Sequence, residues 1–274
     1  MQCHCGGGYR NLDSGISYSC NSYFAMAFRT TIEKYSNASQ SLDIWSNHIK
    51  SFGLGNFLGN DLSVGKKGNI PNGSYYDKWY PEFQWGATTI ISNAIGQGEI
   101  LVTPIQLANM TAAIANRGYY YTPHIIRESD HGPIDSNFTM PNYTTVDSQH
   151  FEVVVNGMFD VFERGTAKGA RIPHITQCGK TGTAQNPHGQ DHSIFVSFAP
   201  KDQPKIALAV IIENGYWGSR WAAPIASLMT EKYLTDTITR PALEARMFEG
   251  DLHEEYRQQH VAIYGEDSTY QANF

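Results

Sequence analysis

The sequence has no apolar run longer than Ile206–Ile212, a strand's length, whereas a helix that spans a bilayer needs about 20 apolar residues. It has no surplus of positive charge: 20 Lys and Arg stand against 26 Asp and Glu, a formal net charge of −6. With no basic patch in view, a nucleic-acid partner is not expected. Nothing at the start reads as a secretory leader, because Met1 is followed by Gln2, Cys3, His4 and Cys5 rather than by a charged and then an apolar stretch. Internal repeats and low-complexity tracts are absent as well. What is present is ordinary for a folded protein, with 41% hydrophobic and 17% charged residues. The 274 residues suffice for one large domain or two small ones.

Apolar periodicity and breakers predict an α/β (α+β) mixture. Helices are expected at about 20–35, 41–51, 104–117, 148–163 and 221–235. In the fourth, Val153, Val154, Met158, Val161 and Phe162 form a stripe at helical spacing. Strands are expected near 172–185, 192–199 and 205–213. Asn186-Pro187-His188-Gly189 marks a turn after the first and Pro200 to Pro204 one after the second, which suggests an antiparallel meander. The segment from about Arg240 is rich in charge and reads as a loose helix or as disordered.

The most informative stretch is Gly-Lys-Thr-Gly-Thr-Ala-Gln at 179–185, on the first predicted strand. Lys180 supplies a positive charge and Thr181 a donor suited to a carboxylate. Gly182 has no side chain, so a ligand can lie against the strand backbone. Serine enzymes that handle penicillin-like acyl groups have such an edge. Two further segments agree and come in order. Ser19 and Asn21 form Ser-x-Asn ahead of a helical run, and Ser19 also suits an N-cap. Gly96-Gln97-Gly98 is a glycine turn that leads to a helix with Pro104 in its first turn.

These residues resemble the transpeptidase domain of class B penicillin-binding proteins, nearest to the penicillin-binding protein 2 type. The resemblance covers roughly residues 3–235. It is carried by Ser-Cys-Asn at 19–21, Gly-Gln-Gly at 96–98, Thr-Pro-Ile-Gln-Leu-Ala at 103–108 and Asn-Arg-Gly at 116–118. Gly-Thr-Ala at 165–167, the Lys-Thr-Gly stretch, His192 to Pro200 and Ala-Ala-Pro-Ile-Ala at 222–226 extend it. The resemblance implies the penicillin-binding protein/β-lactamase-like fold, an antiparallel sheet with helices. The function it implies is cross-linking of peptidoglycan stem peptides in wall elongation, at the outer face of the cytoplasmic membrane in the cell envelope. Its implied partners are stem peptides, β-lactams in the intact family and cell-wall elongation proteins.

By the same resemblance, Ser19 relays a proton between nucleophile and leaving amine, Asn21 holds the substrate amide, and Lys180 sits beside Ser19. Thr181 and Thr183 grip the terminal carboxylate next to Gly182, and the Thr183 N–H is one oxyanion donor. The nucleophile itself is the departure. The family places a Ser-x-x-Lys upstream of Ser-x-Asn, and none precedes Ser19. The sequence holds one such match, Ser63-Val64-Gly65-Lys66, in a Gly- and Asn-rich loop that does not promise the helical turn the pair requires. We therefore expect a partial domain over 1–239 with a charged tail at 240–274. It should lack the nucleophile helix and the first strands of the sheet, be inactive by itself, and be molten, aggregated or unstable. The alternative is a non-catalytic module that binds stem peptides or assembly partners. A β-lactamase or carboxypeptidase on the same scaffold is disfavoured by the Gly-Gln-Gly and Thr-Pro-Ile-Gln-Leu-Ala pattern.

No cofactor is expected and no metal ligand is assigned. Cys3-His4-Cys5 nevertheless allows zinc, and a Cys5–Cys20 disulfide is an open alternative. Cys178 reads as a small buried residue. His188 and His192 read as surface groups at a turn. The aromatic cluster of Tyr75, Tyr76, Trp79, Tyr80 and Trp85 is expected to pack over the core rather than wall a groove.

Overall fold

The structure, a computed structural model, describes residues 3, 5–62, 64–82, 84–128, 130 and 132–265. The first half is helical: α1 (Leu12–Ser17), α2 (Asn21–Ile32), α3 (Ala38–Lys50), α4 (Gly73–Trp79) and α5 (Pro104–Ala115). A two-stranded ribbon of β1 (Tyr119–Tyr121) and β2 (Pro141–Tyr143) follows, with the single turn α6 (Ser136–Thr139) between them. The second half holds α7 (Phe151–Glu163), β3 (Cys178–Ala184), β4 (His192–Ala199), β5 (Ile206–Ile212) and α8 (Ala222–Thr235). Two further helices, α9 (Pro241–Glu249) and α10 (Leu252–Tyr264), complete the described chain.

The main sheet is the expected antiparallel meander, in the order β3-β4-β5. Its register sets Lys180 opposite Val196 and Thr183 opposite Ser193. Both β3 and β5 are therefore edge strands among the described residues. β5 is half-buried at every position.

α5 starts where its sequence says it should. Thr103 caps it through the Gln106 N–H, the Gln106 side chain answers by accepting from the Thr103 N–H, and Pro104 occupies the first turn. β3 is shorter than expected. Residues 172–177 form a closed turn instead, in which His174 takes a left-handed φ of +65° and the Gln177 side-chain Oε1 accepts from the Ile172 N–H at 2.7 Å.

The main core lies between α7, the sheet and α8. Val155, Met158, Val161 and Phe162 of α7 meet Phe195 and Phe198 of β4 and the alanines of α8. Phe162 and Phe195 pack edge to face at 5.5 Å. A second core gathers Phe28, Ile32, Leu42, Tyr76, Trp85 and Ile90 under the helices of the first half. Each such side chain contributes about 1.5–3 kcal/mol on burial. Tyr76 and Trp85 lie in that core as expected, whereas Trp79 stays 62% exposed. Within the charged segment after 240, Pro241–Glu249 and Leu252–Tyr264 are helical. Arg240 pairs with the buried Glu231 at 2.9 Å, and Tyr256 of α10 is buried.

Candidate active site at the edge of β3

The site forms where the α1–α2 link meets the outer edge of β3. Ser19 sits in that link with φ +53°, a left-handed conformation costly for a residue with a Cβ. It is not the helix cap: Cys20 takes that position and makes no side-chain cap bond, and Asn21 is the first residue of α2. Two hydrogen bonds fix the link, from Ser19 N–H to the Ile16 carbonyl (3.1 Å) and from Cys20 N–H to the Gly15 carbonyl (2.9 Å). So held, Ser19 points its hydroxyl at Lys180. Lys180 Nζ donates to Ser19 Oγ at 2.7 Å across 161 positions of sequence, and to the Thr181 carbonyl at 2.8 Å.

Loss of hydration lowers the Lys180 amine from an ordinary 10.5 to about 8. Close to neutrality, such an amine can both hold and release a proton. Thr181 and Thr183 share one face of β3, by the period of two. Thr183 is exposed and Gly182 is half-buried beside it. Asn21 is half-buried at the start of α2, two residues from Ser19.

Three partners of these residues were not legible from the motifs. Thr166 and Thr181 share a hydroxyl–hydroxyl hydrogen bond of 2.8 Å. Thr166 also donates its N–H to the Ser17 carbonyl at 3.3 Å, so it ties the Ser-x-Asn link to the strand. Gln97, from the Gly-Gln-Gly turn, donates its amide to the Thr183 carbonyl at 3.2 Å. Gly218 lies against β3 from the β5–α8 connection. A Cβ there would come within 2.5 Å of the Gly182 carbonyl and 2.4 Å of the Ile194 carbonyl. Both Gly165-Thr166 and Gly96-Gln97 belong to stretches the sequence singles out, but only their spatial meeting with β3 assigns them a role. His188 is exposed as expected. His192 is not a plain surface group: it is half-buried and its Nδ1 accepts from the Asn214 N–H at 3.0 Å.

The one further cluster of candidate ligands among the described residues lies next door. The Sγ atoms of Cys3, Cys5 and Cys20 lie within 4.8 Å of one another and the thiols are free. Cys3 is 2.9 Å from Cys5 and 3.7 Å from Cys20. The second spacing matches the roughly 3.8 Å edge of a tetrahedron with Zn–S bonds of about 2.3 Å, and the first would have to open. Three soft donors of this kind fit zinc. His4 lies outside the described residues. Burial resists ionisation of Cys3, but hydrogen bonds from Cys5 and Ser22 outweigh it and bring the thiol to about 6, whereas contact with Cys20 and Cys3 pushes Cys5 up to about 12. Cys178 is fully buried, and burial raises it to about 12.

The Ser63–Lys66 match gives no support to a second centre. Ser63 lies outside the described residues, and Val64 to Lys66 are exposed and not helical.

A serine, a desolvated lysine and a Thr-Gly-Thr strand edge thus meet in one place. The chain belongs to the penicillin binding protein transpeptidase domain family, which it matches over residues 2–231. It is 33% identical over 252 residues to the peptidoglycan D,D-transpeptidase MrdA of Acinetobacter baumannii, covering 84% of this chain and 35% of that protein. To the protein of the same name from Escherichia coli K12 it is 28% identical, over 72% of this chain and 34% of the relative. It thus spans about a third of the length of the curated relatives it matches. Among solved structures, Pseudomonas aeruginosa PBP2 in complex with WCK 5153 superposes with a TM-score of 0.71 at 33% identity, over 84% of this chain and 50% of that one. Helicobacter pylori PBP2, solved in complex with MreC, gives 0.67 at 28% identity, over 85% and 42%. The fold is accordingly that of the penicillin-binding transpeptidases.

Proposed function

We propose that the chain is the part of a penicillin-binding protein 2-type peptidoglycan D,D-transpeptidase that carries its Ser-x-Asn and Lys-Thr-Gly motifs, and that it serves stem-peptide cross-linking in wall elongation. The observation that carries this reading is the 2.7 Å bond between Lys180 and Ser19. Random Lys-Thr-Gly and Ser-x-Asn triplets have no reason to meet.

In this reading the terminal carboxylate of a D-Ala-D-Ala stem is held by the hydroxyls of Thr181 and Thr183. The Thr183 N–H stabilises the developing oxyanion, a donor worth ~2.7–4 kcal/mol in comparable sites. A nucleophilic serine attacks the penultimate carbonyl, and Ser19 and Lys180 pass its proton to the departing D-alanine amine. Asn21 orients the substrate amide. A zinc ion held by Cys3, Cys5 and Cys20 would tie residues 3–5 to the base of α2, and no chemical step passes through it. The domain extends to about residue 239, with 240–274 appended.

The nucleophile is the part this chain does not supply in recognisable form, since no Ser-x-x-Lys stands ahead of Ser19. We propose that the chain is not acylated by itself. The partners proposed are wall-elongation proteins, in keeping with the MreC complex of the Helicobacter pylori relative. The proposed location is the cell envelope, at the outer face of the cytoplasmic membrane. No described helix is long and apolar enough to cross it.

Labelling of the purified chain with a fluorescent penicillin tests the assignment. We expect no covalent band on a denaturing gel, and saturable, non-covalent binding of a D-Ala-D-Ala peptide that Thr181→Val weakens. A covalent band would overturn the inactivity and implicate another serine, Ser63 first.

A further inference from the structure

Helices α9 and α10 lie beyond residue 231, where the family match ends, and the chemistry above makes no use of them. Their contacts converge on one segment, the connection 213–221 between β5 and α8. Tyr256 of α10, 7% exposed, donates its hydroxyl to the Asn214 carbonyl and sets its ring edge-on to Tyr216 at 6.5 Å. Glu255 pairs with Arg220 at 2.7 Å. From α9, Arg246 donates to the Arg220 carbonyl at 2.9 Å.

The connection they grip is itself strained. Asn214 and Tyr216 are non-glycine residues at φ +54° and +62°, a conformation that persists only where its surroundings impose it.

The opposite side of the same segment holds β3 and β4. Tyr216 N–H donates to the Asp191 carbonyl at 2.7 Å, and Asn214 N–H to His192 at 3.0 Å. The Asn186 amide donates to Asn214 Oδ1 at 3.0 Å. Asn186 and Asp191 belong to the β3–β4 turn. Ser193, the register partner of Thr183, donates its hydroxyl to the Trp217 carbonyl at 2.9 Å. Gly218 packs directly on the backbone of Gly182. The segment is thus clamped between α10 and the strand that carries Lys180, Thr181 and Thr183.

We infer that α10 is a brace for the Lys-Thr-Gly strand and that Tyr256 is a positioning residue for it, acting through residues 213–221. The consequence for ligand binding rests on the function proposed above, whereas the mechanical coupling does not. Without Tyr256 the strained segment loses its outer support, and Gly218 no longer pins Gly182. The strand edge that must meet a ligand's carboxylate then samples more conformations.

Hydrogen exchange on the full 274-residue chain tests this, comparing wild type with Tyr256→Phe, Tyr256→Ala and, as a control, Phe248→Ala on the exposed side of α9. In Tyr256→Ala we expect fragments covering 178–184 and 213–218 to exchange roughly five-fold faster, the scale of one lost hydrogen bond. Exchange in α7 should stay at its wild-type rate. Tyr256→Phe, which keeps the ring, should show a smaller effect in the same fragments, and Phe248→Ala none. Faster exchange confined to 252–264, or spread evenly through α7, would overturn the brace. Peptide binding measured on the same variants separates the two ideas. Coupling without any binding, even by wild type, leaves the brace and removes the transpeptidase reading. Binding by wild type with no change at 178–184 does the reverse.

Discussion

Lys180 is a positive charge placed out of water beside a hydroxyl and a carbonyl, with no carboxylate to offset it among its bonded partners. Its amine falls from 10.5 in the unfolded chain to about 8 in the fold. The unfolded state therefore binds more protons between these values, and stability rises with pH across that window. Below about 8 both states carry the proton and the penalty is present in full. Above 10.5 both have lost it and the penalty is gone. The shift sets an upper bound of ~3 kcal/mol. Urea titrations from pH 7 to 9.5 should show wild type gaining stability relative to Lys180→Met, which keeps the aliphatic stem. A constant difference between the two proteins would mean that the lysine is solvated. At the same scale, Gly218 has backbone, not flexible side chain, where a Cβ would go. Gly218→Ala should cost ~1–3 kcal/mol, as overpacking of a well-filled site does. An unchanged denaturation midpoint would show that the connection stands off the strand.

Among the elements, the α1–α2 link is the one whose geometry is most demanding, since it must hold Ser19 at a positive φ while keeping its hydroxyl on Lys180. Cys20 follows Ser19 directly and shares a sulfur cluster with Cys3 and Cys5. We predict that the reduced chain, purified without chelator, carries one zinc ion. Its removal, or Cys20→Ser, should lower the melting temperature by several degrees, because loss of a ligand that binds only the folded state removes its mass-action stabilisation. Metal analysis showing no zinc, with chelator leaving the melting curve in place, would dispose of the site.

For the molecule as a whole, the outer edge of β5 decides behaviour in solution. Ile206–Ile212 is an apolar strand, half-buried at every position and unpaired on one side among the described residues. Such an edge is a template for further strand pairing. We predict that the isolated chain self-associates at micromolar concentration. Sedimentation velocity checks this. A monomer would show that the two cores, under α7 and under α2–α4, suffice alone.

The sequence by itself determined the fold family, the meander of β3 to β5 and the two motifs of the site. The sequence signals the meander through period-two apolar patterns and turn residues, the helices through period-3.6 patterns and the proline in the first turn of α5, and the fold family through the resemblance carried by the Ser-x-Asn, Gly-Gln-Gly and Lys-Thr-Gly motifs. It misplaced the start of β3 and the cap of α2, because the turn at His174 and the left-handed Ser19 are imposed by partners distant in sequence. For residues 241–264, read as a loose helix or as disordered, the helical alternative holds, because Tyr256 and the Glu231–Arg240 pair find partners only in the folded chain. The meeting of Thr166, Gln97 and Gly218 around β3 was likewise a decision of the tertiary structure. Hydrogen bonds and close packing between segments far apart in sequence leave no periodic trace in the chain that makes them.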